Sequence, residues 1–292
     1  MSWIQALLMG IIQGVTEFLP ISSSGHLAIF EHLFKININT GMLFEVMLNI
    51  GKLVVIIVVF KKDLLRLLIE CLRMIISIIA NAGTFLHNTK QEDAKRYKKI
   101  ISNNYRKFAI LLLVSTISTG ITGCLTRSLL EPVNTTLLTP GIGLLITGIL
   151  LLIVDYIKTG NSVPKDVSYW QALAIGFCQG VAIVPGISGL GVTLVACLLC
   201  GFGRKFAIKY ALLVSIPAVL GAAVLECLEI QNFDITWNLF FTYSAAAIVA
   251  GVVGYFCIKP MLRMIRKRKF KGFSYYCFFI GIVAIVCYFI AI

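Results

Sequence analysis

Eleven consecutive residues near the N-terminus, Thr16 to His26 (TEFLPISSSGH), bring together a carboxylate, a run of three hydroxyls, a proline and an imidazole. Each of these types can do chemistry. Glu17 can carry a proton, and His26 can act as general acid, general base or phosphoryl-accepting nucleophile. Ser22, Ser23 and Ser24 followed by Gly25 suit the start of a helix, where free N–H groups and hydroxyls donate to an anion such as phosphate. The plainer reading is a capped helix end beside a structurally paired histidine. Capping and anion binding are compatible.

The setting gives this cluster its weight. The chain is 59% hydrophobic and 13% charged, with a mean hydropathy of +0.93; in soluble domains about a quarter of residues are charged. Six segments, about 42–60, 108–125, 138–157, 207–227, 238–258 and 273–292, approach the roughly 20 apolar residues that a helix needs to cross a bilayer. The pattern predicts an all-α integral membrane protein and not a barrel of alternating strands. A carboxylate in such a chain is a functional-site candidate by default.

The net charge of +13 does not point to nucleic acid, because the basic residues cluster in short loops between apolar segments, as cytoplasmic loops do. The cysteines lie mostly in apolar runs. Cys197 and Cys200 form a C-x-x-C inside one, so they read as small hydrophobes and not as a metal framework. The N-terminus lacks a basic leader region, so the first segment is expected to remain in the mature chain.

Two more segments, about 3–35 and 170–203, are apolar but interrupted by Gly, Pro and Ser. Irregular backbone at membrane depth is tolerated only where it is buried in protein or lines a cavity, so both are read as re-entrant helix pairs. Basic runs at 61–62, 87–107 and 259–272 put those loops inside, and Glu229 and Asp234 put 228–237 outside. The first broken segment then dips in from the outer side and the second from the cytoplasmic side. Segment 64–86, with Arg66, Glu70 and Arg73 on one stripe, is predicted to be a separate interfacial helix.

The expected architecture is one polytopic domain, 1–292, of six spans and two re-entrant pairs in an inverted repeat. Repeat one runs from about 3 to 157, with a cytoplasmic amphipathic insert at about 64–107, and repeat two from about 170 to 292. A short internal match supports it: Gly10-Ile-Ile-Gln13-Gly14-Val15 and Gly176-Phe-Cys-Gln179-Gly180-Val181 both precede a Pro and a Ser. Inverted repeats with broken helices place a site at their interface near mid-membrane. In the second segment, Pro185 to Thr193 (PGISGLGVT), Gly186, Ser188 and Thr193 could cradle an anion before a half-helix. Glycines also serve close helix packing.

Five stretches, in order along nearly the whole chain, resemble the bacterial undecaprenyl-diphosphate phosphatases of the bacitracin-resistance type. They are QGVTEFLPISSSGH (13–26), FEVMLNIG (44–51), QGVAIVPGIS (179–188), Arg204 with ALLVSIPAVLGA (211–222), and FKGFSYYCFFIG (270–281). The resemblance implies hydrolysis of a polyprenyl diphosphate to the monophosphate and inorganic phosphate in the bacterial plasma membrane, with the site open to the outer face. That reaction recycles the lipid carrier of cell-wall glycans and confers bacitracin resistance. The resemblance also implies a divalent cation, Mg or Ca, with Glu17 as acid/base or metal ligand. It makes Ser23 a phosphate contact or candidate nucleophile and His26 a candidate nucleophile or general base, with Ser22, Ser24, Gly25, Gly186, Ser188 and Thr193 as expected phosphate contacts. It leaves a homodimer open.

The chain departs from the family in one motif, which usually reads P-G-x-S-R-S-G-x-T. Gly189 and Leu190 stand where arginine and serine are expected, and Gln13 stands where some members have a second glutamate. An arginine there would suit phosphate. Lys52, in the middle of an apolar span, needs a partner. It supplies the missing positive charge to phosphate, pairs with Glu45, seven residues earlier on the same helix, or snorkels to the interface. The departure keeps a second class of function in view, a lipid-phosphate flippase or a catalytically impaired paralogue.

Overall fold

A computed structural model describes residues 1–36, 41–90, 94–130, 136–158, 160–229, 236–267 and 270–291. The helices are α1 (Trp3–Phe18), α2 (Ser23–Leu33), α3 (Gly41–Lys90), α4 (Asn104–Leu130), α5 (Leu138–Tyr156), α6 (Tyr169–Val181), α7 (Gly189–Leu199), α8 (Arg204–Glu229), α9 (Trp237–Arg266) and α10 (Lys271–Ala291). Six of them, α3, α4, α5, α8, α9 and α10, are long and apolar enough to cross a membrane. They match the six segments expected from the sequence, with α5 ending one residue short of 157 and residue 292 lying outside the described residues.

The two interrupted segments form two helix pairs, α1–α2 and α6–α7, built from the same local signals. Capping boxes start α1 at Ser2 and Gln5 and α6 at Ser168 and Gln171. Serines cap the second helix of each pair: Ser22 accepts from the Gly25 N–H and Ser188 from the Gly191 N–H. Pro20 follows the α1 cap residue Leu19, which is extended, as the residue before a proline prefers.

The segment expected as a separate helix, 64–86, follows a break in α3: Phe60 has non-helical angles (φ −106°, ψ 17°), so residues 41–90 are two helical segments joined across a kink. Lys61 and Lys62 end the apolar stretch at that point. Beyond the kink the helix is still two-faced. Leu65, Leu68, Leu72, Ile75, Ile76 and Ile79 are exposed, while Glu70 is buried against Arg106 (2.9 Å) and Asn103 (3.0 Å). Residues 94–99 lie along this extension as a strap and not as a free loop. Asn81 exchanges a pair of hydrogen bonds with the Lys98 backbone, and Asn88 does the same with Lys95.

Helix packing relies on small residues, which let backbones meet closely where apolar surface alone gives little drive. Gly10 and Gly14 of α1 lie against the backbone of Ala246 and Ala250 in α9, and Gly176 and Gly180 of α6 lie against Ser115 and Thr122 in α4. The two copies of the repeated G-x-x-Q-G-V therefore have the same mechanical use. Hydroxyls add to the second seam: Ser115, Ser118 and Thr119 donate to the carbonyls of Ala172, Leu173 and Gly176. α5 packs against α10 and reaches both α2 and α7.

Candidate active site

The site forms where the two helix pairs meet. Gly25, in the first turn of α2, faces Gly186 so closely that a Cβ on Gly25 would lie 2.7 Å from the Gly186 Cα. Gly186 has φ +90° and is wedged against the Pro140 carbonyl and the α5 backbone. Both positions require glycine, one for space and one for backbone conformation.

Glu17 is the hub of the first pair. It lies in the last turn of α1, with its side chain only 10% exposed. One carboxylate oxygen, Oε2, accepts from the Ser23 hydroxyl at 2.6 Å and from the Gln13 amide at 2.8 Å. The other, Oε1, is ion-paired with the Lys52 ammonium. Lys52 therefore reaches across from α3 to α1 and does not pair with Glu45.

The serine run divides its labour. Ser22 caps α2 with φ +67°, a left-handed conformation uncommon for a residue with a Cβ. Its hydroxyl lies 3.3 Å from that of Ser24. Ser23 alone faces Glu17.

His26 is 3% exposed and held on both sides. Nδ1 lies 2.7 Å from the Ser22 carbonyl oxygen and Nε2 lies 2.9 Å from the Tyr276 hydroxyl. A carbonyl oxygen only accepts, so Nδ1 carries the proton and Nε2 accepts from Tyr276. The two rings lie parallel, 2° apart in plane, with centroids at 5.5 Å.

The second pair is arranged differently. The Ser188 hydroxyl caps α7, and the Thr193 hydroxyl donates to the Gly189 carbonyl at 2.7 Å; both residues are buried. Thr147 of α5 clamps the turn, donating to the Gly186 carbonyl (2.8 Å) and accepting from the Ser188 N–H (2.9 Å). Gly189 is the open position, since a Cβ there would find only the Ala182 Cβ, at 3.9 Å. The structure thus brings Glu17, Ser22, Ser23, Ser24, Gly25, His26 and Lys52 together, sets Gly186 against them, and commits Ser188 and Thr193 to holding their own backbone.

Tyr276 and Thr147 escaped the sequence reading. Tyr276 stands in the motif-like FKGFSYYCFFIG, but nothing local marks which of its two adjacent tyrosines faces inward. Thr147 is one hydroxyl in an apolar span, a residue type that commonly bonds within its own helix.

The donor set can be tested against the divalent cation that the resemblance implies. Mg and Ca ions take six or more oxygen ligands, carboxylates foremost. Here both Glu17 oxygens are already engaged, one by an ammonium, and the pair sums to zero charge. Among the described residues, no three of His, Cys, Asp and Glu come together. The Gln13 Oε1 is buried and has no hydrogen-bond partner among the described residues. As arranged, these residues do not fit a divalent cation.

Fold and site together define a polytopic membrane protein with a buried carboxylate–serine–lysine cluster at a helix N-terminus, built between two broken helix pairs. The chain belongs to the family described as bacitracin resistance protein BacA, whose model matches residues 6–283. It is 35% identical over 289 residues to the undecaprenyl-diphosphatase of Alkaliphilus metalliredigens (strain QYMF), covering 98% of each chain. It is 36% identical over 288 residues to the undecaprenyl-diphosphatase of Methanosphaera stadtmanae, covering 97% of each. Against that of Halothermothrix orenii the identity is 35% over 282 residues.

Proposed function

We propose that this chain is an undecaprenyl-diphosphatase that cleaves the terminal phosphoryl group of its lipid substrate at the Glu17–Ser23 centre. The observation that carries the mechanism is the 2.6 Å hydrogen bond from the Ser23 hydroxyl to Glu17, the geometry of a nucleophile beside its base. In the first step the Ser23 Oγ attacks the terminal phosphorus and its proton passes to Glu17. The bond from phosphorus to the bridging oxygen breaks, and Glu17 hands the proton to the departing lipid monophosphate. In the second step water attacks the phosphoserine. Glu17 takes a proton from the water and returns it to the Ser23 Oγ as inorganic phosphate leaves. The N–H groups at the start of α2 and the Ser22 and Ser24 hydroxyls face the equatorial oxygens. His26 braces the Ser22 turn, and Lys52 balances the developing charge.

A second reading gives the nucleophile to His26, whose Nε2 carries the ring's lone pair, held here by the Tyr276 hydroxyl, which would have to turn aside. Rapid denaturation of the protein during turnover of labelled undecaprenyl diphosphate separates the two. A trapped adduct that survives acid and disappears in Ser23→Ala supports the serine. An acid-labile adduct that remains in Ser23→Ala and disappears in His26→Ala transfers the role to the histidine.

The two helix pairs are read as entering from opposite faces, with the site open to the outer leaflet of the plasma membrane. The equivalent packing of α1 on α9 and α6 on α4 supports the inverted repeat on which this orientation rests.

A further inference from the structure

We infer that the Lys52 ammonium occupies the position of a divalent cation in this chain, so that phosphoryl transfer at Glu17 proceeds without bound Mg or Ca. The inference rests on the proposed phosphatase reading and concerns the charge that the reaction needs. A diphosphate brings several negative charges beside a carboxylate, and a cation must lie between them. Lys52 is placed to be that cation. Its ammonium touches the Glu17 oxygen that does not face Ser23, and the side chain is 16% exposed, so the head is largely withdrawn from competing solvent. Lysine is a compact point charge with three donors. While one of them keeps Glu17 in place, the others can reach phosphate oxygens.

The surroundings explain why lysine and a metal exclude each other here. Gln13 is neutral and gives its N–H, not its oxygen, to Glu17. A single carboxylate that already holds an ammonium has no charge left to attract a divalent ion, and the ion would meet Lys52 at close range with like charge. The buried, unpartnered Gln13 Oε1 is the acceptor through which a metal could enter once the ammonium is gone. Gly189, open on its side-chain face, contributes no charge from the second pair.

The test follows Mn²⁺ by its electron paramagnetic resonance alongside phosphate release from undecaprenyl diphosphate, using the full chain in detergent. The wild type should leave Mn²⁺ free in solution and keep its phosphate release, within about twofold, in excess EDTA. Lys52→Gln should bind Mn²⁺ and lose the binding again when Glu17→Gln is added. In EDTA its phosphate release should fall by about 10²-fold, the usual cost of one missing charge stabiliser, and Mg should restore much of it. Lys52→Arg guards against a folding defect: it keeps the positive charge and should leave Mn²⁺ free in solution, as the wild type does. Glu17-dependent Mn²⁺ binding by the wild type, or wild-type release that stops in EDTA and returns with Mg, overturns the inference. A wild type that releases no phosphate under any condition overturns the phosphatase reading instead, and the Mn²⁺ titrations still decide the competition between lysine and metal.

Discussion

The two helix pairs share a plan and differ in what their hydroxyls do. In the first, Ser22 caps the helix and leaves Ser23 free to face Glu17. In the second, Ser188 caps, Thr193 bonds back along its own helix, and Thr147 is brought in from α5 to hold the turn. In the proposed mechanism the first pair carries the proton-transferring groups, and the second is a wall against which Gly25 is pressed. Chemistry and scaffold have been divided between two copies of one design.

The largest expected effect that could break this comparison is on activity. Ser23→Ala should reduce phosphate release by about 10²–10⁴-fold, the range for a lost acid–base partner or nucleophile, while Ser188→Ala should keep turnover within a few-fold of the wild type. Equal losses in a steady-state phosphate assay would mean that both pairs do chemistry. The next effect is on stability. Gly186→Ala forces a Cβ onto a residue with φ +90° that is packed against α5, and should cost about 1–3 kcal/mol of strain before any steric clash is counted. Gly189→Ala, facing open space, should stay within about 0.5 kcal/mol of the wild type. Thermal unfolding of both variants in detergent checks the contrast, and a Gly189→Ala loss as large as that of Gly186→Ala would contradict it. The third effect is of similar kind and somewhat smaller. Thr147→Val leaves the Ser188 N–H and the Gly186 carbonyl without a partner and should destabilise by about 1–3 kcal/mol, with the Michaelis constant for undecaprenyl diphosphate little changed. A selective rise in that constant would show that the second pair touches substrate.

Much of this was legible in the sequence because the chemistry is local. Glu17, Ser23 and His26 fall within ten residues, and the capping signals that shape their turn are read from the same stretch. The six spans follow from length and hydropathy, and both broken segments from their glycines and prolines. What could not be read is what the chain brings together from far away. Lys52 had a rival in Glu45 at helical spacing, and only the crossing of α1 and α3 decides for Glu17. Tyr276 meets His26 across the whole molecule. The change of polarity at Lys61 and Lys62 marked the junction at Phe60, but not that the two helical segments meet there without an intervening loop.

The His26–Tyr276 contact has a consequence for how the protein is made. It joins residues 250 positions apart, so it belongs to the slow, non-local class of contacts that form only after most of a chain is in place. If Ser23 and Glu17 act as proposed, the reacting groups are inserted among the first residues, while the brace on their turn comes in the last helix and the wall comes from the middle of the chain. A ribosome that has delivered half of this protein has then delivered the reagents without the vessel. A chain that lacks α10 would lack the brace, and should be an inert fragment and not a stray hydrolase.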